Sequence, residues 1–321
     1  MTPEAVFQKL RTSLRGQTFC PGEPGYDEAR TVPNAMIDRR PAMIARCAGA
    51  ADVIECVREA REHDLLVSVR GGGHSIAGKA VCDDGLMIDM SQMKGIRVDP
   101  VRQTVRAQTG LKLGEFDRET QAFGLATTQG VVPAVGIAGL TLGGGWGNLH
   151  AKFGLAIDNV IAADVVTAEG RLVTANASEN ADLFWGIRGG GGNFGIVTSL
   201  EYRLHQVGPV YGGAHFFPSS KGKGNIAFVA RICRGESRRI GEPGYVHHSS
   251  GRHPGLRSSS LLLRTRGRWR TGIATAEEVC SPDCGPTWSD DVSANPEHVR
   301  TAISPRTAGL YQIKFPTRPH R

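Results

Sequence analysis

The chain has 321 residues, 42 of them glycine, with 40% hydrophobic and 21% charged residues and a formal net charge of +7. That length accommodates one large or two ordinary domains with a substantial core, and no run of about 18 apolar residues offers a membrane span. The charge does not point to nucleic acid: residues 219–321 carry 17 Lys and Arg against 8 Asp and Glu, residues 1–218 carry 21 against 23, and no recognition module accompanies the basic third.

In chain order, "MTPEAVFQKLRTSLRG" reads as an amphipathic helix without the apolar core of a signal peptide. Seven cysteines at irregular spacing argue against a disulfide framework. A reducing, cytoplasmic setting is therefore expected. Cys280 and Cys284 lack the second ligand pair of a zinc site, so no metal is expected. Residues 51–64 repeat Val53, Ile54, Val57 and Ala60 at helical spacing, and "LLVSV" follows as a strand ending at Arg70. Short strands are predicted at 85–90, 95–100 and 103–110, and a helix over 112–124 that stops at Gly124. A hairpin turning at Glu169–Gly170 spans 160–175, a short helix spans 179–190 and a strand spans 194–204. Phe184 and Trp185 read as core residues, and His150 and Asp158 as structural or solvated groups. Beyond residue 218 periodicity fades into Arg-, Ser-, Gly- and Pro-rich sequence, and disorder is expected over 219–270. His247 and His248, in that stretch, have no ligand partners at useful spacing.

Three glycine clusters carry the functional signal. The first, "VRGGGHSIAG" (69–78), places Gly71–Gly73 directly before His74 at the end of a strand. The others are "GVVPAVGIAGLTLGGGWGNLHAKFGLAIDNV" (130–160) and "LFWGIRGGGGNFGIVTSLEYRL" (183–204). Glycine lets backbone approach a ligand closely, and consecutive N–H groups form anion-binding nests. Flanked by apolar sequence, such runs are not linkers, and together they point to a long, flat, phosphate-bearing ligand. Neither the Rossmann spacing nor a P-loop is present.

With these segments in this order, roughly 180 contiguous residues resemble the FAD-linked oxidases with a p-cresol-methylhydroxylase-type flavin domain, in the berberine-bridge-enzyme-like branch. The resemblance implies an α+β protein whose flavin domain, residues 33–206, consists of two α/β subdomains. It follows a helical lead-in (1–32) and precedes a degenerate or truncated substrate domain (207–321). The implied cofactor is FAD. Arg70, Gly71, Gly72, Gly73, His74 and Ser75 would wrap its pyrophosphate, and His74 matches the histidine bonded to the flavin's 8α carbon. Gly136, Ala138, Gly139, Gly144, Gly147 and Asn148 match a second cofactor-contacting segment, and Ile196 the backbone that meets the adenine side. Bicovalent relatives place a cysteine where this chain has Val132, so a single histidyl linkage is expected. Cys82 is expected to be a structural or free thiol. The implied activity moves a hydride from a small organic substrate to the flavin, with dioxygen or another acceptor reoxidising it. The alternative is a catalytically impaired flavin-binding fragment, because the Arg/Ser-rich stretch between a clear match and a weak echo at 284–315 looks like a shifted reading frame.

Overall fold

The computed structural model describes residues 3–208 throughout and, beyond them, the backbone of three further strands. Its elements are α1 (Pro3–Ser13), β1 (Gln17–Phe19), α2 (Tyr26–Arg30), β2 (Met43–Arg46), α3 (Ala50–Glu62), β3 (Val67–Arg70), β4 (Leu86–Asp89), β5 (Ile96–Asp99), β6 (Thr104–Gln108), α4 (Leu113–Gln121), β7 (Leu125–Ala126) and α5 (Ile137–Leu142). There follow α6 (His150–Phe153), β8 (Val160–Val166), β9 (Leu172–Asn176), α7 (Ala181–Gly190), β10 (Ile196–Arg203), β11 (His205–Gln206), β12 (Tyr211–Pro218), β13 (Tyr245–Ser249) and β14 (Leu256–Leu263).

Two sheets organise residues 3–208. The first has the order β1-β2-β4-β3, with β2, β4 and β3 parallel and β1 antiparallel at one edge. Parallel strands need a crossover element, and α3 supplies it between β2 and β3, burying Val53, Cys56 and Ala60. All four residues of β4 are buried, the expected signature of a central parallel strand. The second sheet, β5-β6-β10-β8-β9, is antiparallel throughout. Its β8–β9 hairpin turns where the sequence predicts: Gly170 has a φ of +67°, and its N–H donates to the Thr167 carbonyl at 2.9 Å. There are thus two α/β subdomains rather than one doubly wound sheet.

Each sheet has its own core, and the two cores meet. Val166 of β8 and Ile196 of β10 belong to the second sheet, yet they pack with Met43, Val53, Leu86 and Ile88 of the first subdomain. The second core gathers Phe116, Ile137, Val165, Leu200 and Tyr202.

The lead-in is built into the first subdomain, since β1 is one of its strands and α1 packs on α3. Asp52, buried in the first turn of α3, accepts backbone N–H groups from Ala48 (2.8 Å), Gly16 (3.0 Å) and Arg15 (3.1 Å). One carboxylate thereby ties the α1–β1 turn to α3.

Phe184 is buried as expected, but Trp185 is 77% exposed. Successive residues of a helix point about 100° apart, so α7 can bury only one of the pair. β12, β14 and β13 form an antiparallel sheet with β14 in the middle. Within 219–270, only β13 and β14 fall among the described residues. The rest of that expectation, and Cys280 and Cys284, lie outside them.

Asp52→Ala should cost about 3 kcal/mol, because three backbone donors lose a charged acceptor. Urea unfolding against the parent protein measures this, and a change below about 0.5 kcal/mol would mean that the lead-in is held some other way.

Candidate functional site

The first glycine segment leaves the C-terminal end of β3. The Arg70 carbonyl accepts the Met90 N–H at 2.8 Å, fixing where the strand stops. The chain then turns at Gly73 (φ +74°), which rests against Val32 and Pro33. His74 follows, exposed, ahead of a turn in which Gly78 N–H donates to the Ser75 carbonyl (3.0 Å) and Lys79 N–H to Ser75 Oγ (3.2 Å). The Arg70 guanidinium donates through Nη1 to the Ala29 carbonyl at the end of α2, while its Nε lies beside Gly73, buried and without a hydrogen-bond partner.

The second segment reaches this loop through one contact. A Cβ on Gly72 would lie 2.6 Å from Gly136 Cα, and a Cβ on Gly136 would lie 2.8 Å from Gly72 Cα. Only glycine at both positions allows this approach. Gly136 is also the N-cap residue of α5, with no side chain capping the helix. Residues before it run along 111–114, with Leu113 N–H donating to the Val135 carbonyl (2.9 Å) and Ile137 N–H to the Leu111 carbonyl (3.0 Å). Thr141 of α5 and Tyr202 of β10 share a buried hydroxyl–hydroxyl bond of 2.9 Å. Phe116 packs edge-on against Tyr202 with ring centroids 5.3 Å apart. Burial pushes the Tyr202 phenol's pKa up, so this hydroxyl stays protonated. The helix is thus fixed to sheet, loop and neighbouring helix.

The other residues named from the sequence divide by surroundings. Gly139 is exposed on α5, and nothing lies within 4 Å of where its Cβ would be; Ala138 beside it is half-buried. Gly144 (φ +109°) accepts the Ile157 N–H at 3.0 Å, and Gly147 packs so closely on Gln129 that a Cβ would sit 2.7 Å from its carbonyl carbon. Asn148 is half-buried just before α6. Ile196 lies apart, its side chain packed in the shared core. Asp158 accepts the Leu155 N–H (2.8 Å) and faces Arg188 (3.8 Å), and His150 bonds the Gly147 carbonyl through Nδ1 (2.9 Å), so both have structural partners. Cys82 is buried and free, its Sγ 3.3 Å from Ser68 Oγ.

The third glycine run differs from the first two. A Cβ at Gly186 would lie 3.0 Å from the Phe194 ring, and one at Gly190 would overlap it. These two glycines make room for a phenylalanine of their own segment, while Gly189, Gly191 and Gly192 have open space where a Cβ would be.

Sequence reasoning missed Thr127 and Thr128, both buried beside Gln129 with hydroxyls that have no hydrogen-bond partner. Such leftover hydroxyls are where a bound water or ligand completes the bonding. The available signal was a polar "TTQ" run between an apolar strand and a glycine cluster.

A second tie closes the far side. Asn159 donates to the carbonyls of Phe153 and Leu155, each at 2.9 Å, and its Oδ1 lies 2.7 Å from His205 Nε2. The His205 ring stacks on Phe153 with centroids 4.0 Å apart. Burial, together with the charges of Arg203 and Lys152, holds the imidazole pKa below its ordinary 6.5.

The loop 71–75, the uncapped start of α5 and the open surface at Gly139 form an extended backbone surface that suits a pyrophosphate and a flat ring system. Residues 41–176 match the FAD binding domain family. The arrangement and the match define an FAD-binding domain, and over this part the chain is similar to FAD-linked oxidoreductases. Among curated relatives, it is 39% identical to the (R)-6-hydroxynicotine oxidase of Paenarthrobacter nicotinovorans over 62% of this chain and 44% of that one. It is 40% identical to the FAD-linked oxidoreductase pgmH of Aspergillus terreus over 71% and 47%. Among solved structures, 6-hydroxy-D-nicotine oxidase from Arthrobacter nicotinovorans superposes with a TM-score of 0.72 at 32% identity, covering 79% of this chain and 56% of the other. The berberine-bridge-enzyme-like protein 1 of Physcomitrella patens gives 0.72 at 28% identity, covering 80% and 56%. The chain spans about half the length of the relatives it matches.

Two outcomes are expected here. Gly72→Ala should destabilise the protein by about 3 kcal/mol through overpacking against backbone. Gly139→Ala should leave thermal stability unchanged or slightly higher, yet weaken FAD binding, as fluorescence titration would show; equal effects of the two on stability would refute the assignment. Separately, because folded His205 binds its proton less tightly than the unfolded chain does, stability should fall as pH drops below about 6.5. His205→Gln should flatten that part of the pH–stability curve, measured by thermal unfolding from pH 5 to 8.

Proposed function

We propose that the chain binds FAD through Arg70–Ser75, Gly136, Ala138, Gly139, Gly144, Gly147, Asn148 and the backbone at Ile196, with residues 33–206 as the flavin-binding unit. We further propose that it acts as an FAD-dependent oxidoreductase on a small organic donor. The observation that carries this reading is the contact of Gly72 with Gly136, which sets the His74 loop and α5 side by side. When bound, the flavin supplies two-electron redox chemistry, and dioxygen or another acceptor takes the electrons on. The chain's own groups bind and orient: backbone N–H groups meet phosphate oxygens, and the packed glycines exclude side chains from the ring's surroundings. The relatives' names cover a hydroxynicotine and, in a further structural neighbour, a chitooligosaccharide, so the donor is left at the level of a small organic molecule. The four free thiols among the described residues support a reducing, cytoplasmic setting.

His74 is the proposed tether. Its exposed imidazole would hold the cofactor through a ring nitrogen bonded to the 8α carbon, with net loss of one hydrogen from each partner and dioxygen as the final acceptor of the two electrons and two protons. Val132 has no thiol to offer, so the linkage is single.

A second reading is flavin binding without turnover. Bleaching of the bound flavin's visible band by a panel of amine, alcohol and sugar donors supports the first reading; a coloured protein that none of them reduces supports the second.

Acid-precipitated protein should stay yellow and exceed the chain mass by one FAD. His74→Ala should lose the flavin on denaturation. Flavin retained by that variant would place the linkage elsewhere, and wild-type protein that releases all its flavin would show that there is no tether.

A further inference from the structure

The turn that carries His74 has few bonds of its own. Its near end is fixed by the Arg70 carbonyl and by Gly136 against Gly72. Beyond His74, the internal ties are Gly78 N–H to the Ser75 carbonyl, Lys79 N–H to Ser75 Oγ and a long Val81 N–H to Gly78 carbonyl contact of 3.5 Å. The far end is held from outside. One guanidinium nitrogen of Arg39, Nη1, donates to the carbonyls of Gly78 (3.2 Å) and Val81 (3.1 Å). Gly78, at φ +70°, sits on Ile37, whose side-chain atoms would be 3.2–3.4 Å from a Cβ there.

The ion pair of Arg39 is not what gives it this role. Asp83 lies 3.9 Å from Arg39 Nε, with Arg39 half-buried and Asp83 exposed; pairs this long and open to water contribute little. Asp83 is also occupied by the Arg40 N–H at 2.8 Å. What is particular to Arg39 is a single donor bridging two carbonyls three residues apart, just after the exposed imidazole.

We propose that Arg39 is a positioning residue: it clamps the far end of the His74 loop and so sets the imidazole where covalent flavin attachment can proceed. This rests on the reading of His74 as the tether. Reactivity between held groups is steep in geometry, a misplacement of about 1 Å costing on the order of 100-fold. Binding of the dinucleotide, spread over two backbone segments, depends much less on this one turn.

The test uses apo-protein of the full chain with added FAD, in wild type, Arg39→Ala, Arg39→Lys and Asp83→Asn. Three quantities are read: the rate of flavin attachment by in-gel fluorescence after denaturation, the Kd for reversible FAD binding, and hydrogen exchange of the 71–81 peptide. Arg39→Ala should attach flavin about 10- to 100-fold more slowly, with Kd changed less than about threefold and faster exchange at 74–81. Arg39→Lys should be intermediate, and Asp83→Asn should match wild type. Attachment by Arg39→Ala at the wild-type rate overturns the proposal, as does a slowing that merely parallels the loss of FAD affinity. Should Arg39→Ala not fold, Arg39→Lys carries the same comparison. Should wild type attach no flavin, the tether reading fails by itself, and unchanged exchange at 74–81 in Arg39→Ala then overturns the clamp as well.

Discussion

Two peptide backbones touching with nothing between them is the constraint on which the rest of this site depends. Gly72 and Gly136 belong to different subdomains, 64 positions apart, and each occupies the space the other's Cβ would need. Because neither position can carry a side chain, the loop after β3 and the start of α5 approach to backbone distance. That nearness turns two separate glycine runs into one continuous surface of peptide groups. The surrounding structure serves to keep the contact: sheet one delivers the loop, and the Thr141–Tyr202 bond and the Phe116 ring hold the helix. A single hydroxyl–hydroxyl bond contributes only about 1 kcal/mol net, so the hold comes from burial and packing around it, with the bond specifying direction.

Glycine has two uses in this chain, and only the local surroundings separate them. At positions 72, 136 and 147 it admits other backbone; at 186 and 190 it admits the ring of Phe194. The first use brings two stretches of backbone together, while the second seats a side chain. From sequence both read as a run of small residues beside apolar ones.

That ambiguity marks the limit of what was legible. The helix over 51–64, the strands at 85–110 and the 160–175 hairpin follow from period and turn chemistry, which are local. β1, β2 and α2 went unread because Gln17–Phe19 and Met43–Arg46 are three- and four-residue strands defined by partners elsewhere in the chain. α5 was hidden because Ile137–Leu142 is short and contains a glycine, which lowers helix propensity by about 1 kcal/mol relative to alanine. Trp185 was misplaced because its apolar character says nothing about which face of α7 it occupies. Of the candidate site, residue type alone singles out the glycines and His74. The orphaned hydroxyls of Thr127 and Thr128 and the bridging guanidinium of Arg39 are not legible that way, since their meaning lies in what is or is not within 3.5 Å of them.

Val166 and Ile196, strand residues of the second sheet, are packed into the core of the first. Two lobes that share close-packed side chains cannot swing apart like the halves of a clam, because parting them would expose apolar surface on both sides at once. The turn at 71–81 sits beside this fixed junction, held at its two ends with the exposed His74 in between, so a change in its position leaves the shared core intact.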